Sequence, residues 1–292
     1  MDNTDNDYID CARTQSSTEN PSSMGTLQTG LARHGCASPG MTMLDRRRIS
    51  AFFEDGFVVV PDLFSTSEIH EMRSAFVRLQ RAAERLAGTG MHRGSKFVVE
   101  RVATGGVRIQ RIVWCGAAEP VLSAYGRDPR LLGMASTLLG TREMNQLINQ
   151  AHYKLPGDGV EFPWHQDSSH RRFGGDQWRD VNERGSYVQT VIAIDDMTES
   201  NGSLRFLPGS CKLGHLDLPA DGRLPRALVD PSSAVTATMR AGSVLLFGPY
   251  TLHSSQPNES DEPRRAFING FAFPGANSRV YDGEGAGRLL RI

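Results

Sequence analysis

The 292-residue sequence has no uninterrupted apolar run approaching the roughly 18 residues of a membrane-spanning helix, which excludes a transmembrane helix. It also lacks a basic segment followed by an apolar one at its start. Met1 to Asp7 is acidic and polar, so neither a secretory signal nor an Arg-rich transit peptide is expected. The four cysteines, Cys11, Cys36, Cys115 and Cys211, are scattered with no CxxC spacing. A zinc ribbon and a disulfide framework are therefore unsupported, and a reduced, cytoplasmic protein is expected. Neither sign of charge is in excess: 32 basic residues stand against 33 acidic ones, a net charge of -1. Nothing there draws the chain to nucleic acid or an anionic membrane. The expected partner is a small molecule, and the expected state a monomer or homodimer. No internal repeat is present.

What is there is an ordinary globular composition, 39% hydrophobic and 22% charged, with ample material for a core. Residues 1–42 are rich in Ser, Thr, Asn, Gly and Asp and lack apolar periodicity. Such a stretch buries too little surface to offset its ordering entropy, so a flexible tail is expected, followed by one domain over 43–292. Leu44, Ile49, Phe52 and Phe53 fit a helix face stopped at Asp55-Gly56, and Phe57 to Val60 reads as a strand. Ser65 or Thr66, with Glu68 close behind, signals a capped helix running to about Leu86. The basic residues along it, Arg73, Arg78, Arg81 and Arg85, read as a solvated face. Two strands with a turn at Gly105-Gly106 are expected over 97–115, and Asp128-Pro129 opens a helix ended by Gly140.

From about residue 145 the pattern changes to short apolar segments at 146–154, 160–167, 187–194, 203–207, 235–239, 243–247 and 267–273. Gly, Pro and Asn turns separate them, with no intervening helices. That succession indicates a sandwich or jelly roll, so the expected class is mainly β, with the helices of the first half packed on it.

Within it, Trp164-His165-Gln166-Asp167 carries a His-x-Asp pair. On an extended strand i and i+2 face the same way, so an imidazole and a carboxylate project into one cavity. These are two members of a 2-His-1-carboxylate triad, a donor set for non-haem Fe(II) that leaves other positions open. The third is supplied 86 residues after Asp167 by His253, at the end of the apolar run 244–247 and the turn that follows. Eleven residues beyond His253 stands Arg264, whose planar guanidinium matches a carboxylate such as the distal group of a 2-oxo acid. Arg265 is the adjacent candidate, and strand alternation admits only one of the two.

The run of His165-x-Asp167, NGSLRFLPGS (201–210), AGSVLLFGPYTLHSS (241–255) and RRAFINGF (264–271) resembles the phytanoyl-CoA dioxygenase family of Fe(II)/2-oxoglutarate-dependent oxygenases, which includes ectoine hydroxylase. The resemblance spans roughly residues 45–275. It implies a double-stranded β-helix (a cupin-like jelly roll), one Fe(II), 2-oxoglutarate and O2. It also implies His165, Asp167 and His253 as iron ligands, and Arg264 with Ser255 on the 2-oxoglutarate carboxylate. Lys154 to His165 lies without gaps on the ectoine hydroxylase segment, which places Gln146, Gln150 and His152 against 2-oxoglutarate on one strand face. His152 departs from the family, which has an amide there. Halogenating relatives replace the carboxylate ligand by a small residue, so Asp167 implies hydroxylation or a related oxidation of a small molecule.

The polar insert 168–185 is expected at the cavity mouth. Arg171 and Arg172 are candidates to meet an anionic substrate and Trp178 to stack on it, with Lys154 and Trp114 as further candidates. His70 and His215 lack partners at ligand spacing and read as ordinary polar residues. Two other readings remain open from the residues: a cupin-type metalloprotein using zinc or another divalent metal for hydrolysis or isomerisation, and a non-enzymatic binding protein. A 2-oxo-acid anchor has no task in the former, and a complete triad is unexpected in the latter.

Overall fold

Strands buried on both faces must lie in the middle of a sheet, and those buried on one face must cover something; the architecture follows from these two constraints. In the computed structural model, which describes residues 44–102, 105–170, 180, 185–219, 222–225, 230–276 and 288–292, the strands form two antiparallel sheets. The larger contains β1 (Phe57–Val60), β2 (Gly90–His92), β3 (Ser95–Arg101), β4 (Val107–Val113) and β5 (Glu143–Lys154). The smaller one opens with β6 (Phe162–His165), while β7 (Tyr187–Ala193) returns to the larger. β8 (Leu204–Phe206) and β9 (Val235–Thr236) belong to the smaller sheet, β10 (Val244–Phe247) to the larger and β11 (His253–Ser255) to the smaller. β12 (Arg264–Ala272) and β13 (Arg288–Arg291) complete the larger. The order is β1-β10-β7-β12-β5-β4-β3-β2, with β13 also on β5, facing β6-β11-β8-β9. β7 and β12 are buried at every position and hold the centre.

Two cores flank the large sheet. On its outer face Tyr153, Ile192, Leu246 and Phe267 pack against helices α1 (Arg46–Asp55), α2 (Thr66–Ala83), α3 (Cys115–Ala118), α4 (Pro120–Tyr125) and α5 (Pro129–Leu139). On its inner face Val191, Leu245, Phe247 and Ile268 meet Phe206 and Leu204 of the small sheet. The expected mainly β jelly roll with a helical layer is therefore the observed fold. The helix signals act as read. Asp45 caps α1, and Gly56 ends it in the left-handed region. Ser65 and Glu68 form a full capping box on α2. Asp128 and Gly140 bound α5. The short β2, α3, α4 and the helical turn α6 (Asp167–His170) carry no comparable pattern.

Two expectations of strand geometry are corrected. β6 ends at His165, and Asp167 opens α6 instead of continuing the strand. Gln146 does not share a face with Gln150 and His152. A bulge shifts the β12–β5 register between Gly270 and Phe271, so Leu147 and Ile148 both point inward and Gln146 turns to the helical side. There its Nε2 donates to Gly126 O at 3.1 Å and to Asn269 Oδ1 at 3.3 Å, away from the inner face. Among the described residues, no helix is long and apolar enough to cross a membrane. The 1–42 tail, Arg171, Arg172 and Trp178 lie outside the described residues.

Candidate metal centre and anion pocket

His165 is the last residue of β6 and His253 the first of β11, and the two strands pair so that these residues stand directly opposite. Opposite residues of an antiparallel pair share a face. The rings accordingly lie 4.1 Å apart between centroids. Asp167 reaches the same point from the first position of α6, with its Oδ1 4.0 Å from His253 Nε2. One donor atom from each of the three lies within 4.8 Å of the others.

Neighbouring residues fix these positions. Gln166 is fully buried. Its Nε2 donates to Gly214 O (2.8 Å) and Tyr250 O (2.6 Å), and its Oε1 accepts from Leu216 N (2.7 Å), which staples the turn before Asp167 to two other loops. On the far side Ser168 N donates to Pro249 O at 3.0 Å, and Ser168 Oγ lies 2.8 Å from His215 Nδ1. His253 follows Leu252, whose N–H is held by Ser210 Oγ at 2.9 Å, and Thr251, whose hydroxyl donates to Gly56 O at 2.8 Å. Gly56 (φ 91°) is required there, since a Cβ would lie 2.5 Å from Thr251 Oγ1. The Pro-Gly-Ser segment and the glycine after α1 thus serve the third position.

The imidazoles are set up as ligands. His165 Nδ1 lies 2.7 Å from Pro163 O, and His253 Nδ1 lies 2.9 Å from Thr251 O. A carbonyl only accepts, so each Nδ1 carries a proton and Nε2 is the nitrogen left for a metal. Burial, and next the His165 imidazole, push His253 down to about 3, so it is neutral at ordinary pH. Two imidazole nitrogens and one carboxylate suit a divalent first-row cation, and ligand histidines held through their second nitrogen are the common arrangement. Two donors about 2.1 Å from one ion stand at most about 4.2 Å apart. The 4.0 Å separation of His253 and Asp167 lies inside that span.

Beside the triad the inner face of the large sheet becomes polar. Lys154 faces Arg264, His152 faces Ala266 and Arg111, and Gln150 faces Ile268 and Val113. Arg264 and Lys154 are 3% and 1% exposed. Arg264 Nη2 donates to Gly202 O at 2.6 Å, while its buried Nε has no partner. Lys154 Nζ donates to Gln256 O. Neither cation has a carboxylate partner among the described residues. Burial pushes Arg264 down to about 10, and burial with the charge of Arg264 pushes Lys154 down to about 6. Gly202 (φ 75°) makes room for the Lys154 side chain and the Gln256 carbonyl, because a Cβ there would meet Gln256 O at 2.3 Å and Lys154 Cδ at 3.1 Å. Such a pocket is built for an anion.

Arg265 is excluded from this pocket. It donates from Nε and Nη2 to Asp195 at 2.7 and 2.8 Å on the outer side, leaving Arg264 as the inward member of the pair. Ser255 is buried on β11 opposite Phe162 and Leu204, on the side of His253. His152 Nε2 lies 2.9 Å from Gln150 Oε1, and burial and then the Arg111 charge hold its pKa well below the usual histidine value. Trp114 is a buried corner with φ 50° whose carbonyl accepts from Ser95 Oγ at 2.7 Å. The structure brings together His165, Asp167 and His253 and, beside them, Arg264, Ser255, Gln150 and His152, but not Gln146. Sequence reasoning did not assign Gln166 to this centre, and it offered Lys154 only as a further substrate contact. The direct opposition of Lys154 to Arg264 needs the strand register, which no local pattern gives.

Comparison with known proteins supplies the class. The sequence profile described as phytanoyl-CoA dioxygenase (PhyH) matches residues 52–266. The ectoine dioxygenase of Bordetella bronchiseptica is 25% identical over 244 residues, 76% of this chain and 73% of that protein. The crystal structure of EctD from S. alaskensis in its apoform superposes with a TM-score of 0.64 at 25% identity, covering 86% of this chain and 84% of that one. EvdO2 from Micromonospora carbonacea var. aurantiaca, crystallised with 2-oxoglutarate, gives 0.58 at 26% identity, over 83% and 96% of the two chains.

Proposed function

This chain belongs to the phytanoyl-CoA dioxygenase family of Fe(II)- and 2-oxoglutarate-dependent oxygenases, and from that premise we propose that His165, Asp167 and His253 hold the iron while Arg264 and Lys154 hold the distal carboxylate of 2-oxoglutarate. The observation that carries the reading is the convergence of two imidazole Nε2 atoms and one carboxylate beside a buried guanidinium that has no carboxylate partner among the described residues. Bound together, iron, 2-oxoglutarate and O2 supply the oxidising power to functionalise a C–H bond of a small molecule, with release of succinate and CO2.

The chain's own groups do the rest. The backbone carbonyls of Pro163 and Thr251 keep the two imidazoles in the Nε2-presenting tautomer. Asp167 supplies the negative charge that balances a divalent ion in a buried site. Ser255, Gln150 and His152 present hydroxyl, amide and imidazole groups along the cosubstrate. The aliphatic and aromatic inner face (Ile268, Phe247, Phe206) excludes water on the closed side. Arg171, Arg172 and Trp178 are proposed as substrate contacts at the cavity mouth, on the position of the insert alone. We extend the reading to a cytoplasmic protein that acts as a monomer or homodimer, on composition alone. The cupin-type alternative leaves Arg264 and Lys154 buried with no task, and is not favoured.

The test is turnover. With Fe(II), O2 and 2-oxoglutarate, and ectoine as first candidate substrate, the wild-type protein releases succinate, and Asp167→Ala does not. Absence of succinate from wild-type protein under all conditions, including slow substrate-independent turnover, would overturn the reading.

A further inference from the structure

Helix α2 carries three arginines on its solvent side and Arg85 follows in the turn after it, and the structure divides the four into two kinds. Arg73 is neutralised: its Nε donates to Asp195 Oδ1 at 3.1 Å and its Nη2 to Ile194 O at 2.6 Å. Arg78 is neutralised too, its Nε and Nη2 gripping the Glu119 carboxylate at 3.0 and 2.7 Å. Arg81 and Arg85 have no carboxylate partner among the described residues. Residues 78 and 81, three apart on the helix, and Arg85 in the turn beyond it form one basic stripe along a single concavity, where like charges repel.

The stripe forms one wall of a concavity of about 280 Å3, lined also by His92, Arg93, Ala118 and Glu119. The His92–Gly94 side of it is constrained. The His92 ring stands edge-on to Phe97, with centroids 5.7 Å apart. Arg93 holds a left-handed backbone (φ 50°), a costly conformation for a side-chain-bearing residue, and the following Gly94 sits so close to α3 that a Cβ would be 3.1 Å from Ala117 Cβ. The helix end does not need Arg81 or Arg85: backbone N–H groups of Glu84, Arg85 and Leu86 donate to Gln80, Ala82 and Ala83 O, and in the turn beyond, Arg101 Nη2 donates to Glu84 O at 2.8 Å and Leu86 O at 2.7 Å. Glu84, the nearest acid along the chain, accepts from Gln80. With Glu119 set against Arg78, the lining keeps three positive charges in a protein whose net charge is -1.

We propose that this concavity is a binding site for a phosphate-type oxyanion of two or more charges, borne by a small molecule. Guanidiniums lining one concavity from α2, the turn after it and the loop at Arg93 match phosphoryl oxygens through their planar, forked donors. The volume lies near the small end of ligand pockets, roughly 300 Å3, and suits a phosphorylated metabolite or diphosphate. The site is separate from the triad. α2 and α3 pack on the outer face of the large sheet with Tyr153 and Phe267, whereas the triad and Arg264 belong to the inner face and the small sheet. Occupation is therefore independent of 2-oxoglutarate.

The experiment is calorimetric titration of the full chain with inorganic phosphate, pyrophosphate and ADP at low ionic strength. Pyrophosphate or ADP is expected to bind, with at least tenfold weaker affinity in Arg81→Ala/Arg85→Ala and in Arg93→Ala. Binding is expected to be unchanged in Arg46→Ala/Arg47→Ala, which removes the same charge from the exposed face of α1. ADP binding tighter than pyrophosphate identifies a nucleotide as the source of the phosphoryl group, and equal binding identifies the free anion. No binding of any of the three at millimolar concentration overturns the proposal. So does equal weakening in the α1 control, which would mean diffuse attraction, or displacement by 2-oxoglutarate.

Discussion

Lys154 and Arg264 stand directly opposite each other on β5 and β12, both buried, with only the backbone carbonyls of Gln256 and Gly202 as hydrogen-bond acceptors. When both are charged they repel at these adjacent interior positions, and the charges of Asp158, Asp195 and Glu161 offset the cost of burial only in part. On the proposed reading the cosubstrate's distal carboxylate relieves both. A charge-assisted hydrogen bond is worth about 1.5–3 kcal/mol, so Arg264→Ala is expected to weaken 2-oxoglutarate binding roughly 10- to 150-fold. Metal affinity is expected to stay within about threefold of wild type. Lys154→Met is expected to weaken 2-oxoglutarate in the same direction. Anaerobic calorimetry with the metal-loaded protein measures both.

The same pair predicts a proton linkage. Lys154 is held down to about 6, against an ordinary value of 10.5, by burial and the charge of Arg264. Between those values the cosubstrate-free lysine is mostly neutral, and a carboxylate placed beside it raises its affinity for a proton. Binding of 2-oxoglutarate at pH 7–8 therefore takes up a proton, by up to about one per site, and titrations in buffers of different ionisation enthalpy reveal it. In Lys154→Met the uptake disappears. The stability sign follows from the same shift. The unfolded chain binds more protons than the native one between about pH 6 and 10.5, so the lysine's cost falls as pH rises through that window. Replacing it by Met stabilises the apoprotein most at and below about pH 6.

Gly202 is the hinge of this pocket. Its φ is 75°, and a Cβ on this residue would come within 2.3 Å of Gln256 O, which leaves no room for alanine. Gly202→Ala is expected to cost on the order of 1–3 kcal/mol in urea denaturation and to weaken 2-oxoglutarate, since the carbonyl that orients Arg264 must move.

Gln166 makes a prediction of a different kind, because it touches neither metal nor cosubstrate. It holds Gly214, Tyr250 and Leu216 together behind Asp167. Gln166→Leu leaves one buried and two partly buried backbone groups without their partner. A loss on the order of 2–3 kcal/mol of stability is expected. Metal affinity, measured on the folded fraction, is expected to fall roughly 10- to 100-fold, as for other residues that position ligands.

Much of the fold and of the metal site is legible in the amino-acid sequence. Helix limits at Ser65, Asp128 and Gly140 rest on local hydrogen bonding, so local sequence encodes them. The ligand set is legible because His-x-Asp, the distal His and the arginine beyond it recur in a fixed order on this fold. What escapes depends on register and on residues distant in sequence. The bulge that turns Gln146 away arises where β5 and β12 meet, and period-two reasoning has no sign of it. Asp167 leaves the strand because Gln166 and Ser168 bond to loops at 214–216 and 249–250. Lys154 resembles any strand lysine until Arg264 is placed across from it.

The central claim is that His165, Asp167 and His253 together form the iron site. Anaerobic titration with Fe(II), followed by ultracentrifugal separation of free metal, tests it most directly. One tightly bound iron per chain is expected in wild-type protein. A loss on the order of 100-fold or more in affinity is expected in Asp167→Ala and in His253→Ala, with little change in His70→Ala. Undiminished binding of one iron in His253→Ala, or none in the wild-type chain, would contradict the claim.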